Sequence, residues 1–252
     1  MVKVLDHTGG KDTAGAVNAA FARLVSACIQ QDLFHVLCQQ HSEPFAIVGT
    51  RYSTPVYIER FAAQLFGITH RGAHLVAYTN TRQGMKIWIA RRSRLLYTYP
   101  DMLDVTVAGG VKADMTPSET IIEEAAEEAS IPSDVISGGI RSRGVISHIS
   151  VTGDGFPGEQ GLVVPDYIYT FDIELRLDVQ PRPCDEEVAE FYCMSIGEVQ
   201  KALLRSEFKP DSGAVLVDFL IRHGVITHEN EKDFVDINMR LHRSLPFRTG
   251  HI

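Results

Sequence analysis

Cysteine is scarce in this sequence, four residues in 252, and Cys28, Cys38, Cys184 and Cys193 show neither C-x-x-C spacing nor histidines at zinc-ligand intervals. That excludes a zinc knuckle and a redox dithiol, and it predicts reduced thiols. Basic residues are in deficit, 24 Lys and Arg against 32 Asp and Glu, so neither nucleic acid nor an anionic membrane is expected as a partner. No apolar run approaches the roughly 20 residues that cross a bilayer, and the start, MVKVLDHTGGKDTAG, lacks the apolar stretch of a signal peptide. A soluble, cytoplasmic protein is expected. Repeats and low-complexity tracts are missing too, which excludes solenoids. What is present is ordinary globular composition, 44% hydrophobic and 22% charged, in a chain long enough to bury a core without covalent staples.

Periodicity divides the chain. Apolar residues at helical spacing (Val17, Phe21, Leu24, Val25, Cys28) predict an amphipathic helix within 14–40, and a second helix after Pro55, carrying Phe61, Leu65 and Phe66, ends at Gly67. From His74 the pattern becomes strand-like, with 75–78 and 86–90 joined by a polar turn at 79–84. Thr116, Pro117 and Glu119 form a capping box that opens a helix before Pro132. Strands are expected over 144–151 and 167–175, with a Gly- and Pro-rich loop over 152–165 between them. Its stretch 153–161, centred on Phe156, suits a lid or a long hairpin turn. Ser195 and Glu198 make a second capping box, and Asp211 is expected to cap a last apolar helix that stops at Gly224. The result is a mixed α/β fold with a small N-terminal α/β region, residues 1–75, in front of a larger domain, residues 76–252. The tail from His228 has no clear pattern.

The most informative segment is GGVKADMTPSETIIEEAAEEASI, residues 109–131. At about 100° per residue, Glu124, Glu127 and Glu128 share one helix face, and Ile122, Ala125, Ala126 and Ala129 lie on the other. Like charges one turn apart destabilise a helix by about 0.2–0.5 kcal/mol per pair, so their clustering calls for compensation. A divalent cation supplies it, and magnesium commonly bridges such carboxylates to substrate phosphate oxygens.

This segment resembles the Nudix hydrolase signature G-x5-E-x7-R-E-U-x-E-E-x-G-U, where U is a bulky aliphatic residue. Gly109 falls at the first glycine, Met115 at the first Glu, Glu123 at the Arg and Glu124 at the following Glu. Glu127 and Glu128 match the pair, Ser130 the late glycine and Ile131 the final aliphatic. The stretches RRSRLLYTYPDMLDVTVAGG, CDEEVAEF and FKPDSGAVLVDFLIRHGVI are similar to the branch related to thiamin pyrophosphokinase in fungi and plants, over roughly residues 85–226. The resemblance implies an α/β/α sandwich with a mixed sheet, in which a metal-activated water attacks a diphosphate joined to another group. Glu124, Glu127 and Glu128 would hold magnesium or manganese, with a backbone carbonyl near Gly109 as a further ligand. One of the glutamates would take a proton, and Glu187 is a candidate outer ligand or base.

Three positions depart from the pattern. Glu123 reverses the charge of the signature's basic residue, Leu96 stands where the branch has lysine, and Asp101 where it has glycine. Two cations are thus missing, and Asp101 adds an anion to that of Glu123 near the expected diphosphate. Arg92, Leu96, Tyr99, Arg143 and His148 are the candidate substrate contacts, with Arg141 and Arg143 as replacement cations. Three functions remain open: a magnesium-dependent hydrolase of a thiamin-diphosphate-like or prenyl diphosphate; a non-hydrolytic isomerase or lyase on the same scaffold, with Glu123 as acid or base; and a catalytically silent binding module. A small-molecule diphosphate is the expected partner, and a homodimer would follow if the N-terminal region buried a strand against a second copy.

Overall fold

The computed structural model describes residues 4–153, 156–246 and 249. Helix α1 (Thr13–Gln30) starts where Asp12 accepts the Gly15 N–H at 2.9 Å. It ends ten residues short of the predicted limit. Asp32 turns left-handed at φ 50°, and the Leu33 N–H returns to the Cys28 carbonyl at 3.1 Å, a closure that the apolar periodicity does not report. Strands β1 (Pro44–Ala46) and β2 (Tyr57–Glu59) pair antiparallel. The second predicted helix therefore begins later, as α2 (Arg60–Ala63) and a 3-10 turn, and it stops at left-handed Gly67 as expected.

A seven-stranded mixed sheet follows: β3 (His70–Thr81), β4 (Gly84–Arg92), β5 (Leu103–Asp104), β6 (Val107–Gly110), β7 (Arg141–Val151), β8 (Val163–Glu174) and β9 (Val188–Ser195). The main path runs β5-β4-β3-β8-β7, with β6 on β3 and β9 on β4. The expected hairpin forms, with a shorter turn and longer strands. Its strands pair only from Tyr78 opposite Ile87 to Thr81 opposite Gly84 and then fork, and β5 and β6 fill the gap. At the fork, the buried Thr106 hydroxyl accepts the Ala77 N–H at 2.8 Å and donates to the Trp88 carbonyl at 2.6 Å. One side chain thereby satisfies two main-chain groups that the divergence would leave unpaired.

Helices cover both faces. α3 (Pro117–Ala129) and α4 (Ser133–Gly139) close one core with Leu75, Val107, Ile121, Ile136 and Phe171. α5 (Ile196–Leu204) and α6 (Pro210–Arg222) close the other with Val76, Ile89, Ile168, Leu216 and Phe219. This is the expected α/β/α sandwich with a mixed sheet. Both capping boxes form. Asp211, however, lies in the first turn of α6, after Lys209 at the N-cap and Pro210 at N1. The tail contains α7 (Phe234–Leu241), which lies against β7 and ends in a bridge between His242 and Ser147.

The N-terminal segment reaches the acidic helix's approach loop. Phe45 packs where a Cβ on Gly110 would be, and the Ala113 N–H bonds the Pro44 carbonyl at 2.9 Å. The 153–161 loop is tethered rather than free. Phe156 joins the N-terminal core, and the Glu159 carboxylate accepts the His35 and Val36 N–H groups at 2.7 and 3.0 Å. Asp154 and Gly155 of that loop lie outside the described residues.

Candidate active site

Helix α3 is fixed before its glutamates matter. The Thr116 N–H donates to Glu119 at 2.8 Å, and the Glu119 N–H returns to the Thr116 hydroxyl at 3.2 Å. Small Ala125 and Ala129 are fully buried beside Ile121, which brings the helix close to β6. So close is the approach that a Cβ on Gly109 would collide with the Glu124 carboxylate. Glycine here makes room for an acid.

The glutamates do not form one solvated face. Glu128 is 8% exposed, on the buried side with Ala125 and Ala129, and it takes a long hydrogen bond of 3.4 Å from the Ala108 N–H. Glu124 is half-buried and Glu127 exposed. Burial pushes the Glu124 carboxyl up to about 7, with the charges of Glu187, Glu127 and Glu123 adding to it against the pull of Lys112. Burial also pushes Glu128 well above its ordinary value, joined by the charges of Glu124, Asp104 and Glu187. Glu187, at the foot of β9, thus acts on both from the opposite bank. Its carbonyl accepts the Ser93 N–H at 2.8 Å, which ties it to the end of β4.

Charge of one sign in a poorly hydrated place is what a hard divalent cation relieves. The oxygen donors of Glu124, Glu128 and Glu187 fit such an ion chemically. Among the described residues no group of three or more acidic, histidine or cysteine side chains stands close enough together to hold a metal ion as they are placed.

The charge reversal at Glu123 has a partner. The Lys112 ammonium lies 3.3 Å from both Glu123 oxygens. Against the burial that opposes it, Glu123, Glu124 and Glu127 raise the lysine above its ordinary value. One missing cation has therefore moved to the approach loop, eleven residues upstream. Asp101 is no free anion either, since Arg91 and Arg94 pair with it at 3.0 and 3.1 Å. Its φ of 62°, and the 52° of Ser130 at the signature's late glycine, show why glycine suits both positions.

Of the candidate substrate contacts, three come together on the opposite face of the sheet. Arg92 is pinned by Asp104 at 3.0 Å and by the Thr98 and Tyr99 carbonyls at 2.9 and 3.1 Å. Tyr99 is half-buried, its phenol raised first by burial and then by Asp211, against Lys209 and Arg92. His148 stands opposite Asp166 in the β7–β8 register. Leu96 is half-buried in the loop after β4. Arg143 is not part of this group. It binds Asp172 at 3.0 Å, beside Arg222 and six residues along β8 from Asp166, so it replaces no phosphate-binding cation there. A hollow lined by Thr79, Asn80, Glu174 and Asp178 contains none of these groups.

Sequence reasoning missed His74, Asp166 and Lys209, and it assigned Asp211 only a capping role. Lys209 Nζ pairs with Asp211 at 2.9 Å, and His74 Nε2 lies 3.9 Å from the same carboxylate. Burial opposes both charges, but each holds the other: Lys209 is raised, and Asp211 is held well below the usual carboxylate range. The run Lys-Pro-Asp-Ser before an apolar helix was the available signal, since it sets charges at a helix start beyond what capping needs.

Among known proteins, the NUDIX domain family model matches residues 69–216, more than half of the chain. An uncharacterised protein of Saccharomyces cerevisiae is 39% identical over 200 residues, covering 77% of this chain and 58% of its own length. Nudix hydrolase 20, chloroplastic, of Arabidopsis thaliana is 32% identical over 198 residues, covering 77% of this chain and 50% of its own. The chain spans about half the length of the curated relatives it matches. The solved structure of DR0079 from Deinococcus radiodurans aligns with a TM-score of 0.48 at 20% identity, over 71% of this chain and 98% of that one.

Proposed function

The chain belongs to the Nudix family, and on that premise we propose that it hydrolyses an organic diphosphate with the help of magnesium or manganese. The observation that carries this reading is the pair Glu124 and Glu128, one half-buried and one buried carboxylate on neighbouring turns whose ionisation is suppressed by burial and neighbouring acidic charge. Structural economy alone gives no reason to bury such a pair.

Glu124 and Glu128 would hold the cation from the helix, with Glu127 at the mouth and the Gly109 carbonyl from β6. A cation bound there supplies charge neutralisation for the diphosphate and lowers the pKa of water. In the reaction, a water oxygen forms a bond to one phosphorus while the bridging P–O bond breaks, and the bridging oxygen leaves on the other phosphate. The water's proton goes to Glu187, exposed on the opposite bank and acting on both Glu124 and Glu128. Glu123 takes no proton in this scheme; paired with Lys112, it sets the position of that lysine over the acidic face.

The test is phosphate release from a panel of thiamin, prenyl and nucleoside diphosphates, with and without magnesium, beside Glu128→Gln. Turnover that requires the metal and collapses in the variant is expected. Equal turnover in the variant, or turnover that survives chelation, would contradict the reading.

A further inference from the structure

The loop between β4 and β5, residues 93–102, contains Leu96 and Tyr99, and its backbone is held where its residues are disfavoured. Tyr99 and Asp101 both lie in the left-handed region, at φ 50° and 62°. Residues with a Cβ rarely adopt that region, and they keep it only where surrounding contacts over-determine the backbone. Arg92 grips the Thr98 and Tyr99 carbonyls, while Arg91 and Arg94 pair with Asp101. These contacts act on residues 98–101. Residue 97 is held from the N-terminal region.

The Tyr97 hydroxyl lies 3.1 Å from the His35 carbonyl and also hydrogen-bonds the Pro157 carbonyl. Burial, followed by the charges of Cys38 and Glu159, raises the phenol, so it stays protonated, and its one proton is shared between two carbonyls from distant parts of the chain. Tyr97 keeps 37% of its surface. The position therefore gains little burial from the ring and uses the hydroxyl. The His35–Leu37 turn is a firm support, because Val36 and Leu37 are 1% and 2% exposed within the N-terminal core. Glu159 grips the same turn through the His35 and Val36 N–H groups. It is fixed in its own loop by the Thr152 hydroxyl, which donates to the Glu159 carbonyl at 2.7 Å and accepts the Leu162 N–H at 2.9 Å. One turn thus ties two loops together, through partners 60 to 124 residues apart.

We infer that Tyr97 and Glu159 are positioning residues for substrate binding: through the turn at 35–37, the N-terminal region holds loop 93–102 in its strained form and so presents Leu96 and Tyr99 to the substrate. The N-terminal region is then a working part of the site and not an appendage in front of it. The inference rests on the hydrolase reading for the substrate it serves, but the tie itself is read without turnover. Release of Tyr97 would let Tyr99 and Asp101 relax and would carry with them the carbonyls that hold Arg92. The glutamates of α3 are fixed by other contacts, so the loss falls on binding and not on the chemical step. A loop that is correctly placed in only a tenth of the molecules weakens apparent affinity about 10-fold.

The experiment is hydrogen exchange read by mass spectrometry on the full chain and on Tyr97→Phe and Glu159→Gln. It is run beside steady-state hydrolysis of whichever thiamin, prenyl or nucleoside diphosphate the unaltered chain turns over fastest. Tyr97→Phe removes only the donor, and Glu159→Gln keeps the shape of the carboxylate. Both variants are expected to exchange about 10-fold faster over 93–102 at an unchanged melting temperature, with KM raised about 5- to 10-fold and kcat within about twofold. The effect of Glu159→Gln on loop 93–102 is the sharper result, because Glu159 reaches that loop through the turn. Faster exchange with no diphosphate turned over by the unaltered chain would contradict the hydrolase reading and leave the tie standing. Unchanged exchange over 93–102, or faster exchange with KM unmoved, would overturn the inference, as would a fall in kcat at constant KM.

Discussion

The two polar centres of this molecule, on opposite faces of one sheet, are built on opposite principles. On the α3 side the charges share one sign: Glu124, Glu128 and Glu187 repel one another, and burial raises the two helix carboxyls. On the α6 side the charges are mixed, and Lys209 and Asp211 hold each other ionised despite their burial. The first leaves like charges facing one another; the second pairs Lys209 with Asp211 and leaves buried atoms of His70, His74 and Asp166 without a partner. An uncompensated cluster suits ion-dependent chemistry, whereas a balanced one suits recognition.

Breaking the acidic side gives the largest expected effect. Glu128→Gln should reduce hydrolysis about 100-fold or more, because the cation stabilises several kcal/mol of transition-state charge. The same substitution should raise the melting temperature of the metal-free protein, since it removes a buried carboxyl that must either hold a proton or carry a charge beside Glu124. Loss of activity with loss of apo stability would mean that Glu128 is a structural residue only. Next comes the fork that separates the strands between the two centres. Thr106→Val strands the Ala77 N–H and the Trp88 carbonyl, and should cost about 2–4 kcal/mol by denaturant unfolding. A cost under about 0.5 kcal/mol, within the ordinary range for a surface change, would show that the staple is dispensable.

The Lys112 and Glu123 pair sharpens the comparison, as it is the one cation that Glu123 brings to the acidic face. Both partners are about a third exposed, so its direct worth is only about 0.2–1 kcal/mol. Lys112→Glu should weaken magnesium binding and activity, and the exchange Lys112→Glu with Glu123→Lys should restore much of both. Failure of the exchange would place the effect in the Lys112 backbone contacts. The smallest effect is expected at Ser130. Relief of its left-handed conformation by Ser130→Gly should stabilise the protein by about 1 kcal/mol, with no change in activity.

The contrast also explains what could be read from sequence. The acidic helix is local: Thr116, Glu119, Glu124 and Glu128 lie within thirteen residues, so spacing alone places them on one helix with its cap. Even so, the face assignment erred at Glu128, because a helical wheel does not show that a carboxylate can be tucked beneath the helix, where the Ala108 N–H meets it. The other centre draws on His74, His148, Asp166 and Lys209, spread over four elements, and no spacing rule joins them. Their meeting depends on β3 and β8 pairing in parallel, and on α6 starting above them. Lys112 was missed for a related reason: its partner is found across a loop and not along the helix. Strand β9 and helix α7 escaped because β9 carries few apolar residues in alternation and half of α7 is exposed.

The most direct test of the account is the melting temperature of the protein with and without magnesium, from about pH 5 to pH 8. A carboxyl raised from 4.5 to about 7, as in Glu124, keeps in the folded state a proton that the unfolded chain has lost. Its contribution to metal-free stability is therefore present below the unfolded value and declines as pH rises through 7. The account predicts that the metal-free protein loses stability over that interval, that magnesium restores it, and that the gap widens with pH. A magnesium effect that is absent, or equal at all pH values, would contradict the claim that these buried glutamates await a cation.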